Sequence, residues 1–108
     1  MMNEISTFTF GEEYAEPVSV ISDGTSILVR NYRVRLTEYE HRIVALLIRS
    51  GNWVLKSDIA AEMSCEKAVN PSVISVHVAN INKKVSGVTG RKLIEGNRES
   101  EYRIIPGA

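Results

Sequence analysis

Apolar positions recur with two different periods along this chain, and the change of period divides it. Up to Leu36 the pattern is short and extended. Phe8-Thr9-Phe10 alternates, residues 18–21 are largely β-branched, and residues 27–29 follow the turn-like Ser22-Asp23-Gly24-Thr25. Residues 32–36 alternate again after a tight turn expected at Arg30-Asn31, so three or four short antiparallel strands are predicted. From Thr37 the spacing becomes helical. Thr37 and Glu40 match a capping box, Tyr39, Ile43, Leu46 and Leu47 form the expected buried stripe, and Gly51 ends it. Trp53-Val54-Leu55 reads as a short extended piece with Trp53 in the core. Ser57 is expected to cap a second helix over residues 58–63, with Ile59 and Met63 inward.

A third helix is predicted over residues 71–86. Asn70 suits the N-cap, Pro71 the first helical position, and Gly87 a left-handed C-cap. Ile74, Val78, Ile81 and Val85 recur at spacings of four, three and four and should be buried. The other face presents Ser72, Ser75, Val76, Ala79, Asn80, Asn82 and Lys83, which are small or polar and uncharged until the lysines. Such a face suits a polar, anionic surface such as a DNA groove, although this segment taken alone reads first as an ordinary amphipathic packing helix. Residues 92–95 and 102–105 then read as a C-terminal hairpin around residues 96–101. The predicted order is strands, three helices, hairpin: an α+β fold.

Length and composition narrow the class. At 108 residues, 44% hydrophobic and 24% charged, the chain is of ordinary globular composition. It reads as one domain, a sheet subregion over residues 1–36 joined to a three-helix part over residues 37–108. The longest apolar run covers only residues 43–48, too short for a membrane span. The opening MMNEISTFTF has neither a basic nor an apolar signal region. One cysteine, Cys65, excludes an internal disulfide and suits a reducing cytoplasm, where it is read as a passive thiol. A cytoplasmic protein is expected.

The zero net charge conceals an asymmetry. Residues 1–24 hold five acidic side chains and no Lys or Arg, so residues 25–108 carry thirteen basic against eight acidic groups, a net of +5. Catalysis has little to build on. His41 and His77 lack metal-ligand partners at useful spacing, Cys65 has no evident base, and there is no Gly-rich phosphate loop. No enzyme activity, metal or cofactor is expected.

Four motifs carry a family resemblance over roughly residues 8–104. Leu36-Thr37-x-x-Glu40 with Ile43-Val44-x-Leu46-Leu47 resembles the opening of the OmpR/PhoB-type winged helix-turn-helix domain. Val54-Leu55-Lys56-Ser57-Asp58-Ile59 is similar to its second-helix start. Residues 69–85, with Val76-His77-Val78, Ile81, Lys84 and Val85 in register, resemble its recognition helix, and Tyr102-Arg103-Ile104 matches the strand closing its wing. FTFGEEYAEP is similar to its opening strand. The resemblance implies a winged helix-turn-helix with an N-terminal antiparallel sheet and a C-terminal β-hairpin wing. It implies a bacterial transcription regulator whose third helix enters the major groove of double-stranded DNA while the wing reaches the minor groove. The family usually joins this domain to a receiver domain, which this sequence lacks. The sequence is then expected to be either a stand-alone regulator or the effector half of a longer one, the Met1 start and acidic N-terminus favouring the former.

Candidate site residues follow. Asn80 can hold adenine through N6 and N7, Ser75 can bond several base edges, and Val76 can meet a thymine methyl. Arg98 is the minor-groove candidate, or else an arginine paired to Glu99 or Glu101. The resemblance places Ser72, His77, Lys83 and Lys84 near phosphates, with His77 alternatively a core-edge histidine; Arg49 and Arg91 would extend the positive stripe. The expected helix carries no arginine where the family is arginine-rich, and Arg98-Glu99-Ser100-Glu101-Tyr102 replaces a glycine-containing wing turn. These departures motivate an alternative, a protein-interaction module on the same scaffold with RNA polymerase or another regulator as partner. The connector from Ser64 to Val69 is its expected contact, because the family's equivalent loop commonly touches polymerase. The family also implies homodimers paired on direct repeats.

Overall fold

The computed structural model describes residues 18–20, 24–64 and 68–106. The expected strand at residues 8–10 and the cysteine Cys65 lie outside them. Three strands come first, β1 (Val18–Val20), β2 (Ser26–Val29) and β3 (Tyr32–Arg35), paired antiparallel in the order β1-β2-β3. The turn between β2 and β3 is the two residues Arg30 and Asn31, both left-handed at φ 52° and 75°. A two-residue turn of that hand matches the natural twist of the strands it joins. Val18, Ile27, Val29 and Val34 are buried and form one wall of the core.

Helix α1 (Glu38–Ser50) begins with the expected capping box. The Glu40 N–H donates to Thr37 Oγ1 at 3.1 Å, and the Thr37 N–H donates to Glu40 Oε1 at 2.9 Å. Gly51 closes it at φ 68°. Ile43, Val44 and Leu47 are its buried apolar residues, while Tyr39 and Leu46 are partly buried at the edge of the core. Strand β4 (Val54–Leu55) leads directly into α2 (Lys56–Met63), and α3 (Pro71–Thr89) follows. Strands β5 (Ile94–Gly96) and β6 (Glu101–Ile104) form the C-terminal hairpin, and β4 joins it in a second sheet ordered β4-β6-β5.

Two predicted boundaries are corrected. Ser57 does not cap α2, which starts one residue earlier at Lys56 with Leu55 at the cap and no side-chain capping bond. The cap comes from elsewhere: the free Lys56 N–H donates to the Ser100 carbonyl in the hairpin turn at 2.8 Å. Gly87 does not end α3 either. The helix runs on to Thr89 and closes at Gly90, φ 83°, whose N–H bonds the Ser86 carbonyl. Thr89 Oγ1 donates to the Val85 carbonyl and so stays within the helical turn.

Ile74, Val78, Ile81 and Val85 are all buried, as their spacing predicts, and pack with Ile43, Leu47, Ile59, Leu93 and Ile94. Burial of side chains this size contributes about 1.5–3 kcal/mol each, which fixes α3 across the centre of the domain. Trp53 is not a core residue. It is half-buried, with the Arg103 guanidinium 4.4 Å over its ring and Arg103 Nε bonded to Glu95 at 2.6 Å.

Candidate nucleic-acid interface

Helix α3 presents four stripes, and the structure gives each a different use. One is the buried stripe just described. A second faces the hairpin through Ser75 and Asn82, seven residues apart on the same side. Ser75 Oγ lies 3.0 Å from the Tyr102 hydroxyl and receives a 3.5 Å contact from Lys56 Nζ. Tyr102 can lie this close because its cross-strand partner is Gly96, where an added Cβ would sit 3.0 Å from the ring. Asn82 Oδ1 accepts the N–H groups of Leu93 and Ile94 at 3.0 and 2.9 Å, and Asn82 Nδ2 donates to the Ile94 carbonyl at 2.9 Å.

The third stripe faces α1 through His77 and Lys84, again seven apart. The His77 ring is half-buried and packs on Tyr39, centroids 4.5 Å apart. Lys84 Nζ donates to Glu40 Oε1 at 2.7 Å, where the Glu40 side chain is 4% exposed. Burial alone would raise the Glu40 pKa. Hydrogen bonds from Lys84 and from the Thr37 backbone, with the Lys84 charge, outweigh it and hold the carboxyl below its ordinary value.

What remains is the fourth stripe: Ser72, Val76, Ala79, Asn80 and Lys83, all exposed. Val76 is 58% exposed, and Val73 beside it 38%. Ser72 Oγ bonds the Asn70 cap oxygen at 3.0 Å, so its hydroxyl is anchored at the helix start. Asn80 and Lys83 make no side-chain hydrogen bond or ion pair among the described residues. The sequence-derived outward set is therefore divided. Val76, Asn80, Ser72 and Lys83 share the open face, whereas Ser75, Asn82, His77 and Lys84 hold the helix in place from its two flanks.

Arg98 stands exposed at the tip of the hairpin turn. Neither Glu99 nor Glu101 pairs with it. Glu101 Oε1 instead accepts from Asn97 Nδ2 at 2.8 Å, while Asn97 Oδ1 accepts the N–H groups of Glu99 and Glu101. Ser100 takes the left-handed conformation, φ 62°, that a glycine would adopt more easily. Arg49, in the last turn of α1, and Arg91, just beyond α3, are exposed, and nothing among the described residues joins either side chain to the open face. Among those residues no cluster of His, Cys, Asp or Glu could hold a metal ion, and no helix is long and apolar enough to cross a membrane.

The geometry is that of three packed helices, the third buried along one stripe and open along another, with a hairpin beside it. Solved structures share it. DrrB of Thermotoga maritima, a response regulator and OmpR/PhoB homologue, superposes with TM-score 0.67 at 17% identity over 94% of this chain. The DNA-binding domain of response regulator AdeR, solved in complex with an intercistronic region, gives 0.69 at 16% identity over 92% of this chain and 97% of its own.

The fold is that of an OmpR/PhoB DNA-binding domain.

A streptococcal protein described as one of a family of redox sensors evolved from two-component response regulators also superposes, with TM-score 0.73 at 16% identity over 99% of this chain. This chain spans 44% of the length of DrrB and of the streptococcal protein. No family model and no curated protein matches it. In OmpR/PhoB terms α2 and α3 form the helix-turn-helix, and β5–β6 is the wing. Sequence reasoning missed Tyr102, Lys56 and Asn82 as the polar bracket between α3 and the hairpin. Their partners lie too far along the chain for local spacing to reveal.

Proposed function

We propose that this domain is a bacterial transcription regulator that binds double-stranded DNA, with α3 in the major groove and the wing around Arg98 near the adjacent minor groove. One observation carries the reading. On an OmpR/PhoB-type frame, the polar residues of α3 that could have been general solubilising groups are bonded to the wing and to α1, and a single exposed stripe remains. That stripe carries only small apolar and uncharged polar side chains before Lys83, which a major groove can accept. Lys83 on the stripe and Arg98 in the hairpin turn, neither paired among the described residues, supply positive charge for phosphate contact. Contacts from Asn80 to adenine, from Val76 to a thymine methyl and from Ser72 to phosphate belong to this proposal; Ser75, His77 and Lys84 act chiefly by fixing the helix.

Fluorescence anisotropy with wild type, Asn80→Ala and Lys83→Ala tests it. Asn80→Ala should lower affinity for a selected duplex more than for bulk DNA, because each good bidentate base contact is worth about 1–3 kcal/mol of discrimination. Lys83→Ala should weaken both alike and reduce the salt slope by about 1. Equal binding of selected and bulk duplex by the wild type would sink the proposal.

A second reading, a protein-interaction module, is favoured by a specific surface. Leu46, Trp53, Val54 and Leu55 line an open groove beside Asp58, Glu62 and Glu101. Contact with RNA polymerase or another regulator would use this acidic-edged surface or the connector that ends at Val69. Head-to-tail homodimers on direct repeats belong to the DNA reading. Recovery of a polymerase subunit by wild type but not by Trp53→Ala would support the second reading, and recovery of none would count against it.

A further inference from the structure

The chemistry of the open stripe names the kind of duplex it fits, an inference that rests on the DNA-binding reading above. A recognition helix reads bases mainly with its N-terminal part. From Pro71 to Asn80, α3 contains no Lys or Arg, the residues that most often grip guanine through O6 and N7. The side chains there with hydrogen-bonding heads are largely committed: Ser72 to the Asn70 cap, Ser75 to Tyr102, and His77 against Tyr39. Exposed, and uncommitted among the described residues, are Val73, Val76, Ala79 and Asn80.

Three of those four are apolar. In the major groove the apolar partner available to them is the C5-methyl of thymine, and Asn80 is shaped for adenine N6 and N7. Water has strong reason to leave a valine methyl and a thymine methyl together, whereas a guanine or cytosine edge facing Val76 loses hydrogen bonds and gains none. The wing agrees. Its exposed tip presents Arg98, and arginine is drawn into the narrowed minor groove of A-tracts. Lys83 lies one turn beyond Asn80, outside the base-reading part.

We infer that the domain's target is an A·T-rich duplex read through thymine methyls by Val73 and Val76 and through adenine by Asn80, without a required guanine in the major-groove contact. The stripe therefore discriminates by shape and methyl position more than by charge.

The test uses the whole chain and a duplex selected from a random pool. Thymines in that duplex are replaced singly by deoxyuridine, which deletes only the methyl, and guanines by 7-deazaguanine, which deletes N7. Each contacted methyl removed should weaken binding about fourfold, since one buried methyl-sized group is worth about 0.8 kcal/mol. The 7-deazaguanine duplexes should bind like the parent. Val76→Ala, at an exposed position where folding is not at stake, should abolish the deoxyuridine effect at one or two thymines and leave the others. Loss of binding with 7-deazaguanine but not with deoxyuridine overturns the inference while leaving DNA binding intact. Absence of any preferred duplex overturns both.

Discussion

Asn82 and Ile94 are bonded the way two β-strand residues are: the Asn82 side-chain amide accepts the Ile94 N–H and donates to the Ile94 carbonyl, both at 2.9 Å. A side chain of α3 thus completes the backbone pairing of β5. It ties α3 directly to the hairpin.

Asn82→Ala should cost far more stability than Asn80→Ala. The first leaves the N–H groups of the buried Leu93 and Ile94 and the Ile94 carbonyl without partners, a loss of about 2–3 kcal/mol. The second removes an exposed amide and should stay within about 0.5 kcal/mol of wild type. Urea denaturation of both proteins reads the difference. Equal midpoints would contradict the assignment of the two asparagines to different stripes.

The Glu40–Lys84 pair gives a signed pH prediction. The folded-state pKa of Glu40 lies below its ordinary value of 4.5, so its contribution to stability is complete above that value and is lost as pH falls through the folded pKa. Glu40→Gln keeps a capping-box side chain but cannot titrate. Unfolding free energy measured downward from pH 6 should fall less steeply in Glu40→Gln than in wild type, the curves separating below about pH 4.5. Parallel curves would show that the pair contributes nothing.

How α3 ends can be tested with two alanines. Gly87 is inside the helix, with open space around its Cβ position, so Gly87→Ala should stabilise by about 0.5–1 kcal/mol. Gly90 holds the left-handed cap, so Gly90→Ala should destabilise by about 1–2 kcal/mol. Thermal melts with the opposite order would restore Gly87 as the cap.

Much of the fold was legible because its signals are local. The capping box at Thr37 and Glu40, the stop at Gly51, the Asn70-Pro71 start and the buried stripe of α3 each need only a few neighbouring residues. The errors at Ser57 and Trp53 share one cause. Ser57 looked like a cap, yet the N–H at the start of α2 is satisfied by Ser100, far along the chain. Trp53 looked like core because of its size, but the partner that covers it is Arg103 on the last strand. The polar face of α3 looked uniform from its sequence. Only the packing of the wing and α1 against its flanks reduces it to the stripe through Val76 and Asn80.

The most direct test of the central claim is selection by the intact chain from a random duplex pool at low salt. The account predicts enrichment of a defined A·T-rich sequence, with the enrichment lost in Asn80→Ala while that variant remains folded. A pool that stays random after repeated rounds, with a correctly folded wild type, would contradict it.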